Sequence, residues 1–226
     1  MKTTHLYQKE VTLQADRRQI SAELIKIISD LWYEKSIEIV LFRNQLIDKN
    51  VSEILNLHEY AGAFVGKPIS IFNSIDIARA LSEIQLPPSK LDIGKLTYEF
   101  GLEEDKYPSA RYFVMEKLKK AKSSKEINPK DVVLYGFGRI GRLLARELVS
   151  KTGKGDQLRL RAIVIREKND AITLEKRASL LRYDSIHGDF MGSVVADAEN
   201  NALIINGTTV HVISANSPEE IDYTKW

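Results

Sequence analysis

The residues best suited to chemistry are the glycines of GFGRIG, Gly136, Gly138 and Gly141. They follow the apolar run Val132-Val133-Leu134-Tyr135 and open a stretch of helical periodicity. A strand that runs through such a loop into a helix is built to hold a diphosphate. The first glycine permits the tight turn out of the strand, and the second lets the backbone approach a phosphate without an intervening β-carbon. The third lets the helix pack close to the sheet. The first helical turn also presents free N–H groups and a partial positive charge. A glycine-rich turn that binds nothing is the bland alternative, and the strand and helix on either side weigh against it.

A dinucleotide needs a second anchor, an acid about 20 residues on that bonds the ribose hydroxyls. Glu167 is the leading candidate. It ends LRLRAIVIRE and lies 26 residues after Gly141 (167 − 141), the excess being absorbed by the turn at 151–157. Asp170 is the second candidate, and a merely solvated acid the bland one. A carboxylate there repels a 2′-phosphate and favours NAD. Arg166 and Lys168 flank Glu167 and could accept that phosphate, so NADP stays open.

Other chemistry is narrowed by what the chain contains. It has no cysteine, which excludes disulfides, thiolate metal sites and a cysteine nucleophile within these residues. None of His5, His58, His187 and His211 stands at ligand spacing to another, so no metal site is expected. His187 reads as a loop hydrogen-bonder rather than a base. His58, in His58-Glu59-Tyr60, reads as helix packing. Trp32-Tyr33 and the 98–100 aromatics read as core anchors, and the lysines between 117 and 125 as solvated. A net charge of +2 is too small to ask for nucleic acid or an anionic membrane. No apolar run approaches the ~20 residues that span a bilayer, and the first residues lack a secretory apolar region. A cytoplasmic protein is expected.

The elements that must position these residues fall into two parts, 1–127 and 128–226. The first reads as helical. Ile20, Leu24, Ile27, Ile28, Leu31 and Trp32 form one stripe, and the pattern continues through Ile37, Val40, Leu41 and Leu46, as one long helix or two broken near Ser36. Asn50 caps a helix through Ile54 and Leu57, and Ser74 caps another from Ile75 that ends by Pro87-Pro88. Leu91 to Phe100, and Pro108 to about Lys120, complete the set. Residues 117–128 read as a linker. In the second part, 132–135 is expected as a strand buried on both faces. The helix from Arg139 to about Lys151 should turn Ile140, Leu143, Leu144 and Leu148 inward. Leu158–Ile165 is a second strand and 174–181 a second helix. Short strands follow at 193–197, 202–205 and 208–214, with Asn206-Gly207 as a hairpin turn. The fold class is α/β: a mainly helical N-terminal extension, then an incomplete Rossmann-type domain.

Three motifs add a family resemblance. YGFGRIGRLLARE at Tyr135–Glu147, RYDSIHGDFMG at Arg182–Gly192 and NNALIINGTTVHV at Asn200–Val212 resemble, in order and spacing, phosphorylating glyceraldehyde-3-phosphate dehydrogenase. The helical part is similar to the extension of a longer bacterial subgroup. The resemblance implies that Gly136, Phe137, Gly138, Arg139, Ile140 and Gly141 hold the cofactor's pyrophosphate and that Glu167 takes the ribose. It also implies a soluble homo-oligomer, a tetramer, acting in glycolysis on a small phosphorylated aldehyde with NAD and phosphate. Tyr135, for the family's asparagine, and Asn216, for an arginine beside the adenine, depart from the pattern. In the family a cysteine of an S-C-T-T-N motif attacks the aldehyde, with a histidine as base. The chain reaches Trp226 without that motif, so it is expected to be inert alone and to bind NAD weakly. Erythrose-4-phosphate oxidation on the same scaffold, and a non-catalytic NAD(P)-binding or interaction protein, are the alternatives. The extension's role is not legible.

Overall fold

Helix α1 (Lys2–Lys35) carries the expected stripe, with Leu24, Ile28, Leu31 and Trp32 buried. It does not continue past Ser36. That residue takes a left-handed conformation (φ 54°) and the chain turns into strand β1 (Ile37–Leu41). The expectation of further helix is thus corrected. Ile37, Val40 and Leu41 fit a helical period, but Ile37-Glu38-Ile39-Val40 is rich in β-branched residues and nearly all of it is buried, which a central strand satisfies. β1 pairs antiparallel with β2 (Asn44–Gln45) and parallel with β3 (Ser89–Asp92), giving the order β2-β1-β3. This small sheet is absent from the purely helical reading. The structure, a computed structural model, describes residues 2–121 and 128–226. The chain divides into units of residues 1–127 and 128–226. Of the proposed linker at 117–128, residues 122–127 lie outside the described residues, and Lys117 is helical.

Among the described residues of the first unit four more α-helices follow: α2 (Val51–Val65), α3 (Ile71–Glu83), α4 (Ile93–Glu103) and α5 (Ala110–Lys117). Asn50 caps α2 as expected. Its side chain accepts from the Ser52 and Glu53 amides at 3.0 Å, and Glu53 reciprocates to the Asn50 amide at 2.9 Å. Ser74 is no cap. α3 begins three residues before it, after Ser70, and Ser74 is buried inside the helix. Its hydroxyl lies 3.0 Å from His58 Nε2 and 3.3 Å from Thr97 Oγ1, while His58 Nδ1 meets the Ile54 carbonyl at 2.8 Å. A carbonyl can only accept, so Nδ1 carries the proton and Nε2 accepts from Ser74. Burial pushes the His58 pKa down and keeps the ring neutral. Pro108 precedes the α5 cap, Ser109, instead of sitting in the first turn.

The second unit holds β4 (Lys130–Tyr135), α6 (Arg139–Ser150), β5 (Leu158–Ile165) and α7 (Ala171–Arg182). A two-stranded ribbon follows, β6 (Tyr183–Asp184) with β7 (Gly188–Asp189). Then come β8 (Val194–Asp197), β9 (Ala202–Ile205) and β10 (Thr208–Ser214). The five-stranded sheet has the order β4-β5-β10-β9-β8. β4, β5 and β10 run parallel, the βαβ arrangement expected, and β9 and β8 add antiparallel. The Asn206-Gly207 turn has φ of 49° and 79°, as a tight two-residue hairpin requires.

Two expectations about this unit are corrected. β4 is an edge strand among the described residues, paired only with β5, and its apolar residues are half-buried rather than enclosed on both faces. On α6, Ile140 and Leu144 do not point inward: they are 75% and 49% exposed. The packed face carries Ala145, Leu148 and Val149, which join β5 residues Leu160, Ile163 and Ile165 in one core cluster. A run of leucines and isoleucines marks two faces of this helix, and periodicity alone could not choose between them.

Candidate functional site

The ladder between β4 and β5 ends where Gly136 N–H donates to the Val164 carbonyl at 2.9 Å. Gly136 then turns with φ +95°, a conformation other residues rarely adopt. Gly138 has an ordinary φ of −73°, is exposed, and has nothing within 4 Å of where a β-carbon would stand. A β-carbon on Gly141 would instead overlap the Gly136 carbonyl oxygen. The three glycines therefore serve turn, open approach and close packing respectively. The first bond of α6 runs from the Arg142 amide to the Gly138 carbonyl at 3.0 Å. Among the described residues this leaves the amides of Arg139, Ile140 and Gly141 without an acceptor.

Phe137 turns its side chain into the core, where it is 3% exposed. Its contribution to a ligand is restricted to backbone. Its carbonyl is held from inside by Arg142 Nη1 at 3.4 Å and Arg177 Nη1 at 3.3 Å. Ile140 and Arg139 are exposed.

An open groove of about 400 Å³ runs from this loop to the end of β5, lined by Tyr135, Gly136, Gly138, Arg166, Glu167 and Arg177 among others. It brings Glu167 to the same cavity as the glycines. The Glu167 carboxylate pairs with Arg177 at 2.8 Å and Lys176 at 3.5 Å. The Arg177 charge, followed by Lys176, holds its pKa below the usual range, so it is an ionised acceptor at neutral pH. Asp170 is not in the groove; it caps α7, accepting from the Thr173 amide at 2.9 Å. The segment between is fixed by Ser214 Oγ donating to the Glu167 carbonyl at 2.9 Å and by Asn169 Nδ2 donating to the Val212 carbonyl at 2.6 Å.

The YDSIHG motif forms a supporting loop. Asp184, its side chain only 5% exposed, accepts from the amides of Ile186 and His187 and lies 3.0 Å from His187 Nδ1. Those donors push its carboxyl far below the ordinary pKa. Arg139 and Arg142 stand 3.8 and 3.9 Å from it, so the loop sits under the start of α6. Arg146 ties the two together, donating to the carbonyls of Leu181, Arg182 and Gly188. His187 is engaged as a hydrogen-bonder in this loop.

Sequence reasoning missed Arg177, Arg142 and Asp184 as site supports. A signal existed for the first. Leu174, Ala178 and Leu181 are the buried stripe of α7, and position 177 is an arginine on that same face. The two departures, Tyr135 and Asn216, prove to be neighbours: the Tyr135 hydroxyl donates to the Asn216 carbonyl at 2.7 Å.

The residues present fit a dinucleotide. Free amides, open space before Gly138 and an ionised acid at the end of the neighbouring parallel strand are what a diphosphate and a ribose diol require. The second unit is a Rossmann-type dinucleotide-binding domain. Residues 130–226 match the family model "Glyceraldehyde 3-phosphate dehydrogenase, NAD binding domain". The chain is 40% identical over 210 residues to a glyceraldehyde-3-phosphate dehydrogenase-like protein of Pseudomonas aeruginosa, covering 90% of this chain and 45% of that protein. Glyceraldehyde-3-phosphate dehydrogenase of Bacteroides fragilis is 37% identical over 95 residues, 42% of this chain and 25% of that enzyme. That of Bacillus subtilis is 34% identical over a stretch of the same length. The second unit thus matches that family's NAD-binding domain, and the chain is similar to a glyceraldehyde-3-phosphate dehydrogenase-like protein. It spans under half the length of these relatives.

Proposed function

We propose that this chain supplies the NAD-binding part of an NAD-dependent, phosphorylating glyceraldehyde-3-phosphate dehydrogenase of glycolysis. The observation that carries this reading is the set of unbonded amides at Arg139, Ile140 and Gly141 beside the open face of Gly138. In this reading the backbone from Gly136 to Gly141 takes the pyrophosphate, the positive end of α6 offsets its charge, and the Glu167 carboxylate accepts from the ribose hydroxyls. Held there, NAD would supply the hydride acceptor for oxidation of the substrate. The side chains within these 226 residues bind and orient the cofactor; they include no cysteine to form a thioester. The aldehyde and phosphate sites belong to the whole enzyme, read by family likeness as a cytoplasmic homo-oligomer. No helix among the described residues is long and apolar enough to cross a membrane.

The test uses the product of the complete reading frame. It should bind NAD and reduce it only when glyceraldehyde 3-phosphate and inorganic phosphate are both present. Gly138→Val should abolish NAD binding while the melting temperature stays within a few degrees. Undiminished NAD binding by that variant would overturn the assignment of the loop, and NAD binding without aldehyde-dependent reduction would overturn the reaction.

A further inference from the structure

Arg177 occupies an unusual place for a charged residue. It lies on the buried stripe of α7, and its side chain is 14% exposed. One end of its guanidinium donates to the Phe137 carbonyl in the glycine loop, at 3.3 Å. The other pairs with Glu167 after β5, at 2.8 Å. Its Nε is buried without an acceptor among the described residues. A single planar cation therefore ties the loop that faces a pyrophosphate to the acid that faces a ribose. Around the pair the charge is otherwise positive: Lys176 stands 3.5 Å from Glu167, and Arg166 lines the same groove. One carboxylate pairs with two of these three cations, Arg177 and Lys176.

We propose that Arg177 is a positioning and specificity-determining residue, and that the Glu167–Arg177 pair is a masked 2′-phosphate site. This rests on the reading of the groove as a dinucleotide site. With the carboxylate in place, Arg177 is neutralised, Glu167 is held toward the ribose hydroxyls, and a 2′-phosphate meets a negative charge. With the carboxylate neutralised, the guanidinium is released. Its fork of donors then fits a phosphate bidentately, as a lysine could not. Arg177 accordingly has two separable effects. It supports NAD through Glu167 and the Phe137 carbonyl, and it sets how much NADP the site takes once Glu167 is silenced.

The experiment measures NADH and NADPH affinity by fluorescence titration of the complete gene product. The variants are Arg177→Met, Arg177→Lys, Glu167→Gln and the Glu167→Gln/Arg177→Met double. Glu167→Gln should weaken NADH by about tenfold and tighten NADPH by about tenfold, consistent with hydrogen bonds to charged groups. Arg177→Met should weaken NADH by about tenfold, and Arg177→Lys should recover part of it through the Glu167 contact alone. The double variant should lose the NADPH gain. Wild-type NADH affinity in Arg177→Met, or an NADPH gain kept by the double variant, overturns the proposal. The latter would place the phosphate on Lys176 and Arg166. Glu167→Gln leaves Arg177 in place, so its NADPH gain is read even if Arg177→Met folds poorly; no gain in that variant also overturns the proposal. If the wild type binds NADH and these outcomes fail, the pair alone is wrong. If it binds neither dinucleotide, and Gly138→Val changes nothing, the reading of the groove falls and takes the proposal with it.

Discussion

Alanine at Gly141 and alanine at Gly138 should fail in opposite ways. At Gly141 a new methyl overlaps the Gly136 carbonyl oxygen and lies 3.1 Å from the Gly136 carbonyl carbon. Neither atom belongs to a flexible side chain, and Gly136 is itself pinned to Val164 by a ladder bond. The N-terminal turn of α6 must therefore move off the end of β4. Ala145, Leu148 and Val149 follow, and they are the contacts of this helix to the core. Overpacking of this kind costs about 1–3 kcal/mol, and the rigidity of both partners argues for the upper half, about 2–3 kcal/mol. Hydrogen exchange read by mass spectrometry separates the two units. The slowest amides of α6, β4 and β5 should exchange about 30–150 times faster in Gly141→Ala, while those of α2, α3 and α4 stay unchanged. At Gly138 the methyl enters empty space at an allowed φ, so exchange should match wild type while NAD binding falls. Equal protection in the two variants would refute the division of labour among these glycines. So would lost protection in Gly138→Ala.

Four further outcomes follow from other contacts described above. Ser74→Ala removes the hydroxyl that meets the buried His58 Nε2 and should cost about 1–3 kcal/mol, read as a lower urea midpoint from Trp32 fluorescence in a Trp226→Phe background. Because burial lowers the folded pKa of His58, the unfolded chain takes the proton first. That contribution is complete above the unfolded value of about 6.5 and is lost as pH falls through it, so the same midpoint should drop from pH 7.5 to pH 5.5, and less so in His58→Gln. The Asp184 carboxyl is also depressed, so the order of the 183–189 loop should persist above the unfolded value of about 4 and erode only below it, seen as lost protection of the Ile186 and His187 amides. Arg146→Met withdraws charged donors from the carbonyls of Leu181, Arg182 and Gly188. It should destabilise the second unit by about 2 kcal/mol; Arg146→Lys should lose a comparable amount, and wild-type stability in that variant would refute a role for the planar guanidinium.

Legibility in the sequence followed how local each signal is. The glycine loop could be read because strand, turn and helix are adjacent and each glycine has its own steric reason. The Asn50 cap and the Asn206-Gly207 turn are equally local and came through. β1 did not, since a short, mostly apolar segment fits either period and its decisive partner, Ser89–Asp92, lies some fifty residues away. Ser74 looked like a cap because its role is to meet His58 on another helix. In the groove, Glu167 was found by distance along the chain from the glycines. Arg177, which holds it, was overlooked because an arginine in an amphipathic helix is by default solvent-facing. Ile140 and Leu144 were assigned inward because hydrophobicity says that a side chain gains from cover, not which surface provides it.

Among the described residues the outer margin of β4 has no strand partner, which bears on handling the protein. Its outer row of amides and carbonyls runs beside half-buried Val132, Val133, Leu134 and Tyr135, with charge only at Lys130 and Asp131. Such a margin is a template on which another extended segment can be laid. Where no further strand covers it, molecules that meet there would pair edge to edge, solubility would worsen with concentration, and a lysine replacing Val133 would be the simplest remedy to try.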